Sequence, residues 1–288
     1  MGNLIRAEFR KIFTTKLWWA LLIPTVVLAL GWSWIWAALA TSLSDKITSD
    51  PEMQQLGVSV NTLPLSVFGF ARAINISTIF PMIMGGLALS SEISRRTITT
   101  SYLTAPSRVS LLTSKLITYV VFGLLYGVVI TAFASLGIAI GSDKALLPDV
   151  GGWALMASVG ILETLLWTLL AIGVGALIGN VVGSVLTLLL YSLMLENLID
   201  LVLPGHWAGI LPNGAANGLT GSVASKIFLD TVPPIENPTL RDGVERVVRG
   251  VSGAAGAFDW WASGLIFAGW MAVFFGLGWL ISQRRDIT

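Results

Sequence analysis

Six long stretches of apolar residues constrain this chain more than any other feature of its sequence. A helix rises 1.5 Å per residue and needs about 20 apolar residues to cross a hydrocarbon core of about 30 Å. The stretches cover approximately residues 17–43, 74–91, 116–140, 153–178, 182–203 and 260–281. Charged residues make up only 11% of the 288 residues, too few to cover a surface that faces water throughout. The sequence therefore predicts an all-α membrane protein of six transmembrane helices, folded as a single transmembrane domain over 1–288.

The distribution of basic residues predicts the orientation of these helices. With the N-terminus inside, the cytoplasmic segments hold ten basic and three acidic residues, whereas the outer segments hold seven basic and twelve acidic residues. Cytoplasmic loops of membrane proteins carry an excess of Lys and Arg. We therefore expect a multi-pass protein of the plasma membrane with both termini in the cytoplasm.

The segment before the first stretch, residues 3–16, has the pattern of a basic amphipathic helix. Phe9 and Phe13 recur at helical spacing on one face, and Arg6 and Arg10 lie on another. Helices of this kind lie in the membrane interface with the apolar face towards the acyl chains. The pattern favours an N-terminal interfacial helix over a plain basic tail.

Two connecting segments are long enough to have a structure of their own. The cytoplasmic loop 92–115 is the largest inner segment, and it is either a docking surface for a cytoplasmic partner or a solvated loop whose charges fix the topology. The outer segment 204–259 contains a run rich in small and polar residues at 212–228, which could enter the membrane only if protein shields it. Residues 239–251 predict an amphipathic outer helix whose apolar face needs a cover.

Ionisable and helix-breaking residues inside the stretches are candidates for function. Glu163 stands about 15 Å deep in the fourth stretch, and such a carboxylate either lines a translocation path or is held by hydrogen bonds for a structural reason. Glu196 and Asn197, near the outer end of the fifth stretch, either line a vestibule or mark where the helix meets water. Pro81 lacks an N–H group and predicts a kink in the second stretch.

Several kinds of chemistry have no counterpart in the sequence. The chain has no cysteine and one histidine, so we expect neither a disulfide nor a metal site. No G-x-x-x-x-G-K-[ST] motif occurs, so we expect no ATP to bind through a P-loop of this chain. The sequence predicts a protein that is not an enzyme, holds no cofactor of its own and has no nucleic-acid partner.

Four segments together resemble the membrane permease subunits of type-2 ATP-binding cassette (ABC) exporters, in their actinobacterial form. They are the opening LIRAEFRKIFTTKLWW, the motif E-x-x-x-R-T-I from Glu92 to Ile98 with its continuation to Lys115, the hairpin VGALIGNVVGSVLTLLLYSLMLENLIDLVLP, and the ending GWLISQRRDIT. They occur in the order found in that family and cover most of the chain.

The resemblance implies an assembly and a set of site residues. Such permeases pair as two six-helix halves, here with a second copy or a homologous permease, within membrane lipids, and they bind two cytoplasmic ATPase subunits that hold ATP and Mg²⁺. The loop after the second span forms a coupling helix against the ATPase, and the N-terminal helix also contacts that region. Short outer helices between the fifth and sixth spans cap the exit. The implied ATPase-coupling residues are Glu92, Arg95, Arg96, Thr97, Pro106 and Arg108, and the implied path runs between the halves along the second and fifth spans. With Glu163 added for its depth, the candidate path residues are Pro81, Met84, Glu163, Glu196 and Asn197.

The function expected from the resemblance is ATP-driven export of a hydrophobic or amphipathic substrate such as a drug, a lipid or a peptide. Two alternatives remain at the level of sequence. One is an ion-coupled secondary transporter with Glu163 as the proton carrier, and the other is a membrane resistance or sensor module that tethers an ATPase without transport.

Overall fold

The computed structural model describes residues 2–50, 62–202, 206–234 and 236–284, and in this part of the chain helices are joined by short connections without a β-strand. The first six helices are α1 (Gly2–Thr14), α2 (Leu17–Ser49), α3 (Ser66–Ser77), α4 (Ile79–Ser94), α5 (Ile98–Thr104) and α6 (Arg108–Gly141). The others are α7 (Val150–Ile178), α8 (Val181–Leu190), α9 (Glu196–Val202), α10 (His206–Ile210), α11 (Pro212–Leu229), α12 (Pro238–Ser252) and α13 (Trp260–Arg284). A 3₁₀ turn (Lys144–Leu146) precedes α7, and a π-helical segment (Tyr191–Leu195) joins α8 to α9. The prediction of an all-α protein is confirmed.

Five helical segments are long and apolar enough to cross a membrane, which makes the chain a multi-pass membrane protein. They are α2, the α3–α4 pair taken together as Ser66–Ser94, α6, α7 and most of α13. The predicted stretch 182–203 is divided between α8, the π-helical segment and α9, and its apolar helix Val181–Leu195 is shorter than the other five. Residue 203 lies outside the described residues, and a sixth span stays a prediction.

Two helical segments begin well before the residues at which the sequence predicted their start. The second helical segment begins at Ser66 instead of residue 74, and α6 begins at Arg108 instead of residue 116. In both cases a basic residue, Arg72 or Lys115, ended the apolar pattern. The structure places partners around each of these charges, so that the helix continues past it. The loop predicted as 92–115 is accordingly shorter, since α4 ends at Ser94.

The α3–α4 pair is interrupted near Pro81, where the sequence predicted a kink. Proline has no N–H group and its ring crowds the carbonyl four residues earlier, which here belongs to Ser77. The helix assignment breaks one residue later, at Thr78. Backbone hydrogen bonds still cross the break, from Thr78 N to Ile74 O at 3.2 Å and from Met82 N to Thr78 O at 3.0 Å.

A turn of two residues, Gly179 and Asn180, joins α7 to α8. Gly179 ends α7 in the left-handed conformation, with φ of 68°, which a residue without a side chain adopts at little cost. Its N–H donates to the carbonyl of Gly175 at 2.9 Å. Asn180 then caps α8, because its side-chain oxygen accepts a hydrogen bond from the N–H of Gly183 at 2.9 Å.

Helix α7 lies at the centre of the bundle, packed against α4, α6, α11 and α13. Its contact with α4 is close enough to exclude side chains at Gly85 and Gly175. A Cβ atom on Gly85 would collide with the carbonyl oxygen of Thr168, and one on Gly175 would collide with that of Gly86. Small residues allow this kind of backbone approach between membrane helices.

The segment between α10 and α13 forms two helices of different character. Helix α11, which contains the predicted run of small residues, is largely buried and packs against α3, α7, α12 and α13, so protein does shield it. Helix α12 confirms the predicted amphipathic helix at 239–251. Its N-cap is Asn237, whose side-chain oxygen accepts from the N–H of Thr239 at 3.0 Å. Of its apolar face, Val248 is buried, whereas Val247 is exposed.

The close approach of α4 and α7 leads to a test of the packing. We expect Gly85→Ala to lower the stability of the purified protein by about 1–3 kcal/mol, the usual cost of overpacking a tight interface. Thermal unfolding in detergent should show a lower midpoint. Gly269→Ala in α13 is the matched control, because its added Cβ would meet no atom within 4 Å. Equal midpoints for the two variants would contradict the described approach of the helices.

Candidate functional site

Four ionisable side chains from three helices meet at one end of the bundle. They are Glu8 and Lys11 of α1, Glu92 near the end of α4, and Lys115 of α6. The Nζ atom of Lys115 lies 2.8 Å from Glu8 Oε2 and also pairs with Glu92 Oε1, as does Lys11. We call these four residues the ion cluster, and the end of the bundle that holds α1, α5 and the last turn of α13 the basic end.

Three residues of the ion cluster, Glu8, Glu92 and Lys115, are buried, whereas Lys11 is exposed. Lys115 and Glu92 are each 2% exposed, and the side chain of Lys11, at 50%, is the most accessible of the four. Burial lowers the pKa of Lys11 to about 8, and the neighbouring charge of Lys115 acts in the same direction while Glu8 opposes both. Charges this deeply buried persist only when they are paired. The ion cluster therefore fixes the relative positions of α1, α4 and α6.

Aromatic contacts hold the rest of α1 against the bundle. Phe9 and Phe13 both pack on Phe122 of α6, with ring centroids 5.8 and 5.5 Å apart, and Phe13 also meets the edge of Trp18 at 5.3 Å. Arg6 and Arg10 are exposed on the other side of the helix. The amphipathic character predicted for residues 3–16 is confirmed, but much of the apolar face covers protein.

The connection between α4 and α6 is compact and contains the short helix α5. Arg95 follows the end of α4, and Arg96 has a left-handed backbone with φ of 57°. Thr97, which precedes α5, donates its N–H to the carbonyl of Glu92 at 3.0 Å. Pro106 stands in the turn before α6. Leu103 of α5 is 77% exposed, so this helix presents an apolar side chain at the basic end.

The same connection is bound to the last turn of α13. The hydroxyl of Tyr102 donates to the carbonyl of Ser282 at 3.1 Å. Arg108 donates through Nη1 to the carbonyl of Gln283 at 2.6 Å, and its guanidinium carbon lies 5.1 Å from the ring centroid of Tyr102. A displacement of α5 would therefore act on α13 as well as on α4 and α6.

A second polar group lies inside the bundle, around Glu163 of α7. With the amide of Asn75 oriented by its hydrogen-bond network, its nitrogen lies 3.1 Å from Glu163 Oε2 and 2.7 Å from the hydroxyl of Thr220, and its oxygen faces Asn217. Glu163 is fully buried. Its carboxylate thus has amide and hydroxyl neighbours from α3 and α11, and no basic side chain lies within 4 Å of it among the described residues.

Glu196 is also fully buried, and its carboxylate caps a helix. Oxygen Oε2 accepts from the N–H of Asn213 at 2.8 Å, and Oε1 accepts from the N–H of Gly214 at 2.7 Å. These are N–H groups of the first turn of α11, which have no partner inside the helix, and the positive end of the helix dipole favours a carboxylate there.

The positions of the other predicted path residues give no evidence for a path. Met84 is buried in a cluster with Tyr119 and Phe122 of α6 and Ile172 of α7, and Pro81 is buried as well. Asn197 belongs to α9, but its side chain lies outside the described residues. The role of these residues in a path stays a prediction.

Sequence reasoning missed the partners that give these residues their geometry. In the sequence, Glu8, Lys11 and Lys115 are charges that set the orientation and belong to segments that carry the resemblance, and nothing marks Arg72 or Asn75. One signal was available: Lys115 is flanked by Leu111, Leu112, Leu116 and Ile117, as expected for a charge inside a buried helix. The partners of Glu163 had no such signal, because they come from distant parts of the chain.

Comparisons with models of protein families and with curated proteins found no match to this chain.

The ion cluster leads to a prediction about stability. Lys115→Met would leave Glu8 without its cation and Glu92 with only the half-exposed Lys11, and breaking a buried pair in this way costs about 3–5 kcal/mol. We expect a clear fall in the thermal unfolding midpoint of the purified protein. Lys46→Met, at an exposed position of α2, is the control. If the ion cluster is the cause, adding Glu92→Gln to Lys115→Met should recover part of the loss, and additive effects would argue against it.

Proposed function

We propose that the chain is the permease subunit of an ATP-driven ABC exporter that moves a hydrophobic or amphipathic substrate out across the plasma membrane. The observation that carries this proposal is α5, a short helix with an exposed apolar residue that is braced on α4, α6 and α13. A helix so placed suits the transfer of force from another protein better than a solvated loop whose charges only fix the topology. The resemblance of residues 92–108 to the coupling segment of such permeases supports the same function.

In this proposal the basic end faces the cytoplasm. The exposed Arg6, Arg10, Arg95 and Arg96 give it the positive charge that cytoplasmic segments carry. The segment from α8 through α9 supplies the sixth span, and α12 lies on the outer side. Two ATPase subunits hold ATP and Mg²⁺, and a second copy of the chain or a homologous permease completes the path.

The contacts at the basic end give a physical route for coupling. An ATPase that moves α5 acts on α13 through Tyr102 and Arg108, and on α4 and α6 through the junction that the ion cluster holds. Because α4 packs on α7 without intervening side chains at Gly85, motion of α4 reaches the centre of the bundle. In this way a displacement of α5 at the basic end would change the relative positions of α4, α6, α7 and α13.

The proposal is tested at Leu103. We expect Leu103→Asp to reduce the amount of ATPase that co-purifies with the tagged chain from membranes by at least about tenfold, because an apolar anchor in a docking site contributes about 2 kcal/mol or more. Vanadate-sensitive ATP hydrolysis by the purified complex should fall with it. Leu240→Asp, at an exposed position of α12, is the control and should leave both unchanged. An unchanged yield of ATPase with Leu103→Asp would contradict the docking role of α5.

A second test separates the exporter from an ion-coupled carrier. Glu163→Gln keeps the size of the side chain and an acceptor for the amide of Asn75, so we expect ATP-driven accumulation of a fluorescent amphipathic dye in inverted vesicles to stay within about twofold of the unaltered protein. Collapsing the proton gradient with a protonophore should have a similarly small effect. Loss of accumulation under both conditions would favour the secondary transporter instead.

A further inference from the structure

Arg72 is a cation without a counter-ion in the described part of the chain. It lies in α3, within a segment apolar enough to cross a membrane. Its Nε donates to the carbonyl of Val251 and its Nη2 to that of Gly250, both at 2.9 Å. No carboxylate lies within 4 Å of it among the described residues. A charge at such a position needs partners, and the described partners of Arg72 are carbonyl groups, which leave its formal charge unneutralised.

The two carbonyl contacts leave part of the guanidinium available. A guanidinium carries five N–H groups in a fixed plane, and the contacts to α12 use two of them. They also fix the orientation of the plane, so that the remaining N–H groups are positioned before any ligand arrives. Fixed guanidinium groups of this kind suit the planar or tetrahedral oxygens of carboxylates and phosphates.

Arg72 lines a cavity of about 210 Å³ together with Asn75, Asn213 and Asn217. Arg72 contributes the N–H donors of a guanidinium, and Asn213 and Asn217 of α11 contribute carboxamides, whereas the amide nitrogen of Asn75 is already bound to Glu163 and Thr220. Two indole rings, of Trp32 and Trp167, also belong to its lining. The lining therefore combines a cation and carboxamides with large apolar rings.

The nearest described carboxylates do not neutralise this cavity. Glu163 is held behind Asn75 and Thr220, and Glu196 is bound to the first turn of α11. Neither of them belongs to the lining. Among the described residues of the lining, the formal charge is thus the single positive charge of Arg72.

The size of the cavity limits what it can hold. Sites for whole drug-sized molecules usually measure about 300–1,000 Å³, so this cavity accommodates a head group and the first carbons of a chain. The π-helical segment contributes Leu193 to the lining, and Leu193 and Met194 are both exposed. An apolar chain leaving the cavity would continue along this surface.

We infer that this cavity binds the anionic head group of an amphipathic molecule, with Arg72 as its charged contact and the carboxamides of Asn213 and Asn217 in α11 as further donors. The inference deepens the proposed function, on which it rests, by assigning a substrate class to the exporter: a carboxylate or phosphate joined to an apolar chain. That chemistry is supplied either by a membrane phospholipid or by a soluble amphiphile.

The natural absence of cysteine allows a direct test with the full-length chain in phosphatidylcholine nanodiscs. At Asn213→Cys, a negatively charged methanethiosulfonate should react at least about fivefold faster than a positively charged one of similar size, because Arg72 attracts the anion. Val247→Cys, exposed on α12, should not share an Arg72-dependent preference. Equal rates at Asn213→Cys would overturn the inference.

Two further variants assign the preference to the cavity. Arg72→Gln should abolish it, and Arg72→Lys should retain it. Since the loss of Arg72 also frees the end of α12, Asn217→Asp provides an independent test: it leaves Arg72 in place, adds a carboxylate to the lining and should abolish the preference as well. A preference that survives both Arg72→Gln and Asn217→Asp would overturn the inference.

Protection from the reagent identifies the source of the ligand. Dodecanoate added to the solution, or phosphatidate included in the nanodisc, should slow the modification of Asn213→Cys, and dodecyltrimethylammonium should not. Protection by phosphatidate alone assigns the site to a lipid, and protection by dodecanoate assigns it to a soluble amphiphile as well. Protection by neither anion, or by the cationic amphiphile equally, would overturn the inference.

If these tests fail while the ATPase still co-purifies, the proposed function stands without this site; if they succeed and no ATPase co-purifies, the site stands without that function.

Discussion

The buried amine of Lys115, paired with the carboxylates of Glu8 and Glu92, is the interaction on which the basic end depends. Removing charges from water costs several kcal/mol per ion, and the pairing offsets this only when all partners are in place. Because each of α1, α4 and α6 supplies a member of the ion cluster, none of them can shift alone without leaving a buried charge unpaired. The helix α5 connects the end of α4 to the start of α6, and because both are fixed, α5 has a defined position at the basic end.

The same constraint operates at the other helix ends, with backbone groups in place of charges. The first N–H groups and the last carbonyls of a helix lack partners within it, and at two helix ends of this chain a charged side chain from another helix is the partner. Glu196 accepts from the start of α11, and Arg72 donates to the end of α12. Both contacts tie the segment between α10 and α13 to helices of the bundle. Glu196 and Arg72, two of the few charged residues of this chain, thus hold helices together.

Hydropathy predicted the helices well and their ends less well. The start of α2 at Leu17 and the end of α7 at Ile178 agree with the prediction, because a lysine and a glycine mark real ends there. At Arg72 and Lys115 a charge suggested an end that does not exist, since the partners that stabilise each charge are far away in the sequence. Local pattern contains no information about such partners, and a resemblance to a family supplies only the residues of its own motifs.

The candidate sites were predictable to different degrees for the same reason. Glu163 stood out because a carboxylate is unusual at that depth, but whether it had a structural partner could not be read from the sequence. The nearest amide, Asn75, belongs to a segment that the apolar pattern only just includes. Its hydroxyl neighbour, Thr220, belongs to α11, a helix whose small residues gave no clear periodicity. Three helices had to be packed before the carboxylate had neighbours.

The α3–α4 pair connects the ion cluster with the contact between Arg72 and α12. Its α4 part ends in the ion cluster through Glu92, and its α3 part holds α12 through Arg72. Between them the hydrogen-bonded backbone continues across Thr78, where Pro81 weakens the helix by one hydrogen bond. In the proposed exporter, a force applied at α5 would therefore travel along one nearly continuous helix with a single soft point, beside the cavity that Arg72 lines. The kink expected from Pro81 thus lies between the end of α4, which would receive the force, and α3, whose Arg72 would hold the ligand.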